Sequence, residues 1–238
     1  MLVRPEGDGT LLITQQAHAW VSGQLARAWG NDRFAPPAPR DEVCLAAEQH
    51  DLGMASFDLD PPVDPDTGLP PSFMDMPLDV HLEIWTEAPR RMLVQDRYAA
   101  VLVALHGIAL YERRDLARLP EPDARRVRTF LAAQRSFVED QAAALGVDSD
   151  ELARNQRLIW TLDSLSLALL LDWSPFTLED VPAGADERVA LALGGGTLAP
   201  WPFAADAVTV RCDARRLAPG QALAEGGFER FERVLRPG

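Results

Sequence analysis

Residues 45–53 have the sequence Leu-Ala-Ala-Glu-Gln-His-Asp-Leu-Gly, an apolar helical stretch that ends in adjacent His50 and Asp51. The predicted helix runs from Asp41 to about Asp51, and Gly53 closes it. An imidazole next to a carboxylate provides two metal-ligand groups from one short piece of chain. Adjacent His-Asp pairs are common, so this pair predicts a site only if other ligands join it.

The other three histidines and one aspartate also lie in predicted helices, each on the apolar face. They are His18, His81, His106 and Asp163. An unpaired buried carboxylate costs several kcal/mol, and the chain has no lysine to neutralise it. A lone histidine on an apolar face is more often a hydrogen-bonded core residue. Four histidines and two aspartates together predict a metal centre.

The composition excludes several classes of protein. The chain has 238 residues, of which 47% are hydrophobic, enough for a sizeable core. A net charge of −13 argues against nucleic acid or an anionic membrane surface as partner. Every basic residue is arginine, which excludes lysine-based catalysis. Cys44 and Cys212 form no C-x-x-C pair, and no signal-peptide pattern is present. We therefore expect a cytoplasmic protein that acts on a small molecule and binds neither nucleic acid nor a membrane. A homodimer is a possible assembly.

Helices dominate the predicted structure. A β-hairpin over residues 1–14 precedes a first helix that Thr14 caps and that ends near Trp29. Residues 58–77 are rich in proline and aspartate and predict a long loop, either a lid or a surface excursion. The later helices are expected at 78–94, 97–114, 122–145 and 149–171. Beyond Pro175, β-like runs are expected at 188–193, 207–212 and 228–235.

Three segments resemble the ligand helices of HD-domain proteins. Residues 45–53 resemble the motif in which an apolar helix ends in His-Asp-x-Gly. His18 followed by Ser22 resembles the first ligand helix, and Trp160-Thr-Leu-Asp163-Ser-Leu resembles the last. The order H…HD…H…H…D is that of the dinuclear members.

The resemblance to HD-domain proteins covers residues 11–172 and implies a mostly α fold. We expect an essentially all-α protein: an HD-domain-like helical metal-binding domain in residues 1–175, preceded by the N-terminal β-hairpin, and a small antiparallel β subdomain in residues 176–238, which the hairpin could join. The chain also resembles an uncharacterised bacterial family, the domain-of-unknown-function 3891 family, through Leu105-His106-Gly107 and Pro200-Trp201-Pro202-Phe203.

The resemblance implies two divalent transition-metal ions, iron or manganese first, with magnesium, zinc or nickel as alternatives. One ion would be held by His18, His50, Asp51 and Asp163. Asp51 would bridge to a second ion, completed by His81 and His106. In a hydrolase, water between the ions would attack the phosphorus of a small phosphate-containing metabolite.

Further candidate site residues lie near these ligands in sequence. Asp51 and Glu48 are the candidate catalytic residues, and Glu48 could orient water or shuttle protons. The candidate substrate-binding residues are Arg90, Arg91, Arg97, Tyr111, Gln16 and Gln49. Arginines at such places are more often solvated helix-face charges, and the glutamines could equally be surface amides.

Three functions fit these residues, in decreasing order of preference. The first is the dinuclear hydrolase, although Met54 stands where many HD hydrolases have lysine, which weakens a phosphodiester substrate. The second is a mixed-valence di-iron oxygenase that cleaves a small polyol or phosphonate, because such enzymes of this superfamily use the same ligand set. The third is a non-catalytic metal-binding sensor whose β-rich tail contacts a partner.

Overall fold

The computed structural model describes residues 1–184 and 187–238. In these ranges half of the chain is helical and 22% lies in strands. The helices are α1 (Gln15–Ala28), α2 (Arg40–Gln49), α3 (Ala55–Leu59), α4 (Leu78–Met92), α5 (Arg97–Glu112), α6 (Glu121–Leu145) and α7 (Ser149–Leu170). None of the helices described has the length and hydropathy that a bilayer span requires.

Side chains that accept hydrogen bonds from free amides explain where several helices begin. The Thr14 hydroxyl accepts from the Ala17 amide at 3.0 Å, and Asp96 accepts from Ala99 at 2.7 Å. Gly146, with φ of 68°, ends α6 in the left-handed conformation that glycine adopts without strain. These signals are local, and the helix ends therefore agree with the predicted ones to within about two residues.

Seven strands form one mixed, curled sheet. Its strands are β1 (Leu2–Glu6), β2 (Gly9–Ile13), β3 (Phe176–Pro182), β4 (Arg188–Gly194), β5 (Thr197–Ala199), β6 (Val208–Leu217) and β7 (Gly227–Pro237). The order across the sheet is β1-β2-β6-β7-β5-β4-β3. Neighbours are antiparallel except β5 and β7, which are parallel. The predicted N-terminal hairpin is present as β1 and β2.

The sheet overturns the predicted fold class. A mostly α or all-α bundle with a small antiparallel β subdomain is wrong, because the sheet has seven strands and includes a parallel pair. Sequence periodicity missed two strands: β5 has only three residues, and a register shift between Leu178 and Val181 interrupts β3. Thr10 of β2 pairs with Leu217 of β6, so the N-terminal hairpin does join the C-terminal strands in one sheet, which the sequence had left open.

Two side-chain bridges attach the ligand-bearing helices to this sheet. The Gln24 amide of α1 donates to the Arg211 carbonyl of β6 at 2.8 Å and accepts from its amide at 3.1 Å. On β1, the buried Arg4 guanidinium donates to the carbonyl of Leu170 at the end of α7, at 2.8 Å. Helices α1 and α7 are therefore fixed relative to the same sheet.

Helices α1 and α2 pack closely where glycine leaves room. A Cβ atom on Gly23 would lie 2.7 Å from the Glu48 Cβ and 3.0 Å from its Cα. This approach holds the segment that carries His18 against the end of α2 that carries His50. Gly53 plays the same part next to α4, because a Cβ atom there would lie 2.6 Å from the Ile84 carbonyl oxygen.

We expect Gly23→Ala to destabilise the protein by about 1–3 kcal/mol, because the added methyl group must push α1 and α2 apart. Alanine is the better helix former by about 1 kcal/mol, so a loss of stability would show that packing decides. Urea unfolding monitored by circular dichroism measures the change. Gly194→Ala is the control, since a Cβ atom there meets no atom within 4 Å. Equal stability of the two variants would contradict the packing argument.

Candidate metal centre

Ligand atoms from three helical elements meet at one buried point. His18 lies on α1, His50 at the C-terminal end of α2 and Asp163 on α7. The His18 Nε2 atom is 2.9 Å from Asp163 Oδ1 and 3.2 Å from His50 Nε2, and His50 Nε2 is 3.5 Å from Asp163 Oδ1. All three side chains are buried. This cluster could hold a metal ion.

Asp51 and His106 lie at the edge of this cluster. Asp51 Oδ2 is 3.7 Å from His18 Nε2 and 3.6 Å from His50 Nε2. His106 Nε2, from α5, is 3.7 Å from the second Asp163 oxygen, Oδ2. Both residues are buried. The sequence-predicted ligands His18, His50, Asp51, His106 and Asp163 are therefore neighbours, with the first ion position better defined than a second.

Hydrogen bonds on the outer side of the two central imidazoles set their orientation. His50 Nδ1 lies 2.9 Å from the Ala47 carbonyl oxygen, which can only accept, so this nitrogen carries the proton. The Ser166 hydroxyl donates to the Asp163 carbonyl at 2.9 Å, so His18 Nδ1, at 2.7 Å, donates to the Ser166 oxygen. In the neutral rings both Nε2 lone pairs therefore face Asp163 Oδ1.

Protonation of His50 is one way to relieve this convergence of acceptors. Burial alone would lower the pKa of His50, but the carboxylates of Asp51 and Asp163 outweigh it and raise the pKa to about 9. Burial would raise the pKa of Asp163, but the His18 and His50 imidazoles, with His106, reverse the shift and lower it. Burial raises the pKa of Asp51, against the pull of the nearby imidazoles.

A divalent cation fits this donor set better than a proton does. Imidazole nitrogen and carboxylate oxygen are the ligands of zinc, iron, manganese and nickel sites. One cation between His18, His50 and Asp163 would satisfy all the inward-facing lone pairs at once, whereas a proton satisfies one pair. The bonds to Ala47 and Ser166 are the outer contacts that orient ligating histidines.

Neither ring nitrogen of His81 is free to bind a metal ion, because both are hydrogen-bonded to other side chains. The Trp85 indole N–H donates to His81 Nε2 at 3.2 Å, and His81 Nδ1 is hydrogen-bonded to the Tyr111 hydroxyl. Burial, and then the Arg114 charge, lower the pKa of His81 to about 4, so the ring is neutral. His81 would have to release Trp85 to become a ligand. Tyr111 is fully buried behind it, as its partner.

A cavity of about 240 Å³ lies beside the cluster. The lining comprises Gln15, His18, Asp51, Met54, Phe73, Met74, His81, Trp85, His106, Leu110, Arg114, Asp163 and Leu167. A larger cavity of about 430 Å³ lies between α1 and β6, but no imidazole lines it. The smaller cavity is the one in which ligand atoms converge, and we take it as the site.

The predicted arginines lie outside this cavity. Arg90 pairs with Glu87 on the surface of α4, and Arg97 donates to the Gln141 amide oxygen at 3.0 and 3.1 Å. Arg91 is exposed. Helix periodicity turns all three to the outer faces of α4 and α5, so none reaches the cavity.

Glu48 and the two predicted glutamines also lie outside the lining. Glu48 forms an ion pair with Arg27 on the surface of α1 and α2, which directs it away from the cluster. The Gln16 amide donates to the Asp51 carbonyl at 2.7 Å and so supports that ligand from behind. Gln49 is half-buried.

Among the polar residues of the lining, sequence reasoning missed Arg114. Gln15 adjoins the ligands in sequence, lies three residues before His18 on the same side of α1, and lines the cavity as that spacing predicts. Arg114 follows the end of α5, where helical spacing no longer predicts direction.

A family model described as "Protein of unknown function (DUF3891)" matches residues 1–219. The chain belongs to this family. Comparison with curated proteins and with solved structures found no match. The DUF3891 match confirms the second of the two resemblances drawn from sequence, and the likeness to HD-domain proteins stays a prediction.

We expect Ser166→Ala to weaken metal binding by about 10- to 100-fold, as the loss of an outer hydrogen bond to a ligating histidine does. The variant removes the acceptor for His18 Nδ1 but no ligand. Competition with a fluorescent chelator measures the affinity. Ser164→Ala is the matched control two residues away, because Ser164 is half-buried and its hydroxyl makes no hydrogen bond with the described residues. Unchanged affinity in Ser166→Ala would contradict the orienting role.

Metal affinity should rise with pH up to about 9. Because the pKa of His50 is raised to about 9, the ring is protonated at pH 7 and an incoming ion must displace that proton. Affinity should therefore rise about tenfold per pH unit between 7 and 9 and level off above. Calorimetric titration with Mn²⁺ in buffers of different ionisation enthalpy counts the released protons. Binding at pH 7 without proton release would contradict the assignment.

Proposed function

We propose that this DUF3891 protein is a metal-dependent hydrolase that acts on a small phosphate-containing metabolite. The observation that carries the proposal is the convergence of His18 Nε2, His50 Nε2 and Asp163 Oδ1 beside a cavity that His18 and Asp163 line. The order of these ligands along the chain resembles that of HD-domain hydrolases, which supports the same chemistry.

A divalent ion bound here would act as a Lewis acid and would lower the pKa of a bound water molecule toward neutral pH. The protein's own contribution is to hold the His18 and His50 imidazoles in fixed orientations through Ser166 and Ala47. Asp51 lies slightly farther away, lines the cavity, and has a raised pKa. It is therefore the carboxylate best placed to take a proton from water during hydrolysis.

The cavity itself favours a small anionic substrate. Its volume of about 240 Å³ corresponds to roughly eight water molecules at about 30 Å³ each. Met54, Leu110 and Leu167 exclude water from its wall, which strengthens electrostatic interactions inside. Arg114 supplies a fixed positive charge in the lining, where a phosphate would be attracted.

The proposal includes a second ion, whose binding position is less well defined than that of the first. Asp163 Oδ2 and His106 Nε2 lie 3.7 Å apart and face each other beyond the first position. His81 could complete this second position only by giving up its bond from Trp85. We therefore propose that the first position fills at lower metal concentration than the second, with iron or manganese as the expected ions.

Elemental analysis of protein purified without chelators tests the metal centre. We expect at least one equivalent of a divalent transition metal in the wild type. Asp163→Asn should reduce affinity by more than about 100-fold, beyond the usual effect of an outer contact. His106→Ala should lose the second equivalent and keep the first. Wild-type protein that stays empty when titrated with Mn²⁺, Fe²⁺ and Zn²⁺ would contradict the proposal.

Turnover separates the hydrolase from the two other functions. The metal-loaded wild type should release inorganic phosphate from a panel of small monoesters, and Asp51→Asn should lower kcat by about 100-fold or more if it accepts the proton. Two equivalents of iron together with oxygen uptake would indicate the oxygenase instead. Full metal occupancy without phosphate release or oxygen uptake would indicate the non-catalytic metal-binding sensor.

A further inference from the structure

Gln15 presents an unsatisfied polar atom to the metal cavity. The side chain is only 5% exposed and lines the cavity, yet its Oε1 atom has no hydrogen-bond partner in the part of the chain that the structure describes. Buried polar atoms are almost always hydrogen-bonded, and an exception at a binding cavity indicates a missing partner. The first partner to consider is a donor group on the ligand.

The backbone of Gln15 is fixed, so the start of α1 cannot swing away from the cavity and take the Gln15 side chain with it. The backbone amide of Gln15 donates to Asp58 Oδ2 at 2.6 Å, which ties the first turn of α1 to α3. His18 lies one turn later on the same helix. The helix end that carries Gln15 therefore keeps its position relative to the metal cluster.

Arg114 provides the second recognition element. Its guanidinium lies 4.8 Å from the centre of the Tyr111 ring, and its charge acts on His81. It is exposed and forms no ion pair with any carboxylate of the described residues. This differs from Arg90, which pairs with Glu87. A guanidinium in a cavity wall without a carboxylate partner among the described residues is suited to an anionic group.

We propose that Gln15 and Arg114 select small hydroxylated phosphate monoesters, with Gln15 Oε1 accepting from a substrate hydroxyl and Arg114 binding the phosphate. The inference rests on the proposed function for the reaction but makes its own claim about binding. The apolar residues of the lining, among them Met54, Leu110 and Leu167, would cover a short carbon chain. An amide acceptor, rather than a carboxylate, accepts from a hydroxyl without repelling the phosphate.

The test compares two ligands of equal chain length, glycerol 3-phosphate and propyl phosphate, on the Mn²⁺-loaded protein. Calorimetric titration measures affinity, and phosphate release measures turnover. The wild type should bind glycerol 3-phosphate about tenfold more tightly, the equivalent of one good hydrogen bond. Gln15→Leu should remove this preference by weakening glycerol 3-phosphate alone. Gln15→Met is the second variant in case the first does not fold or loses manganese.

Arg114→Gln should weaken both ligands by about 10- to 100-fold, because each carries the same phosphate. Arg90→Gln is the matched control and should change neither affinity. Manganese content and circular dichroism of each variant exclude indirect effects on the fold or the metal.

The outcomes distinguish the two proposals. Binding with the expected Gln15-dependent preference but without phosphate release would contradict the hydrolase and keep the recognition pair. Phosphate release with equal affinity for the two ligands, or with a preference that Gln15→Leu and Gln15→Met leave intact, would overturn the recognition pair and keep the hydrolase. A wild type that binds neither ligand would overturn the proposed substrate class.

Discussion

Lone pairs directed at one buried point are the constraint on which the rest of this structure depends. His18, His50 and Asp163 each turn an acceptor atom inward, and in the absence of a cation or proton these atoms repel one another. The Ala47 carbonyl and the Ser166 hydroxyl hold the two rings from outside, so the rings cannot rotate away without breaking buried hydrogen bonds. The fold therefore holds these acceptor atoms where together they attract a positive charge.

Close backbone packing and the sheet together keep that point in place. Gly23 and Gly53 let neighbouring elements approach at distances that any side chain would prevent. The Gln24 amide and the Arg4 guanidinium attach α1 and α7 to strands at opposite ends of the chain. The sheet is thus part of the support of the candidate metal centre and not a separate appendage to a helical bundle.

Helical periodicity was enough to predict which histidines turn inward, but not which atoms they meet. The faces of His18, His106 and Asp163 followed from their spacing relative to apolar neighbours, because α-helical geometry fixes direction. His81 lies on an apolar face too, yet Trp85, four residues on, occupies its Nε2 atom. Whether a buried histidine binds a tryptophan or a metal depends on differences of about an ångström in the positions of neighbouring side chains. The spacing of residues along the sequence does not encode such differences.

The sheet and the polar lining were harder to predict for related reasons. Short strands such as β5 carry too few residues for a period-two pattern, and pairing between β2 and β6 joins segments about 200 residues apart. Arginines were chosen by closeness in sequence to the ligands, whereas Arg114 enters the cavity because α5 ends there. Direction beyond a helix end is set by the chain that follows, not by the helix.

The attachment of α1 to β6 has a consequence for the order of assembly during synthesis. His18 and Arg211 are about 190 residues apart, so the strand on which the His18 helix leans is synthesised well after the helix itself. At about 5–20 residues per second, that delay lasts on the order of ten seconds or more. During this interval α1 lacks its contact with β6, and a metal ion would meet the fully supported ligand cluster only after β6 has formed.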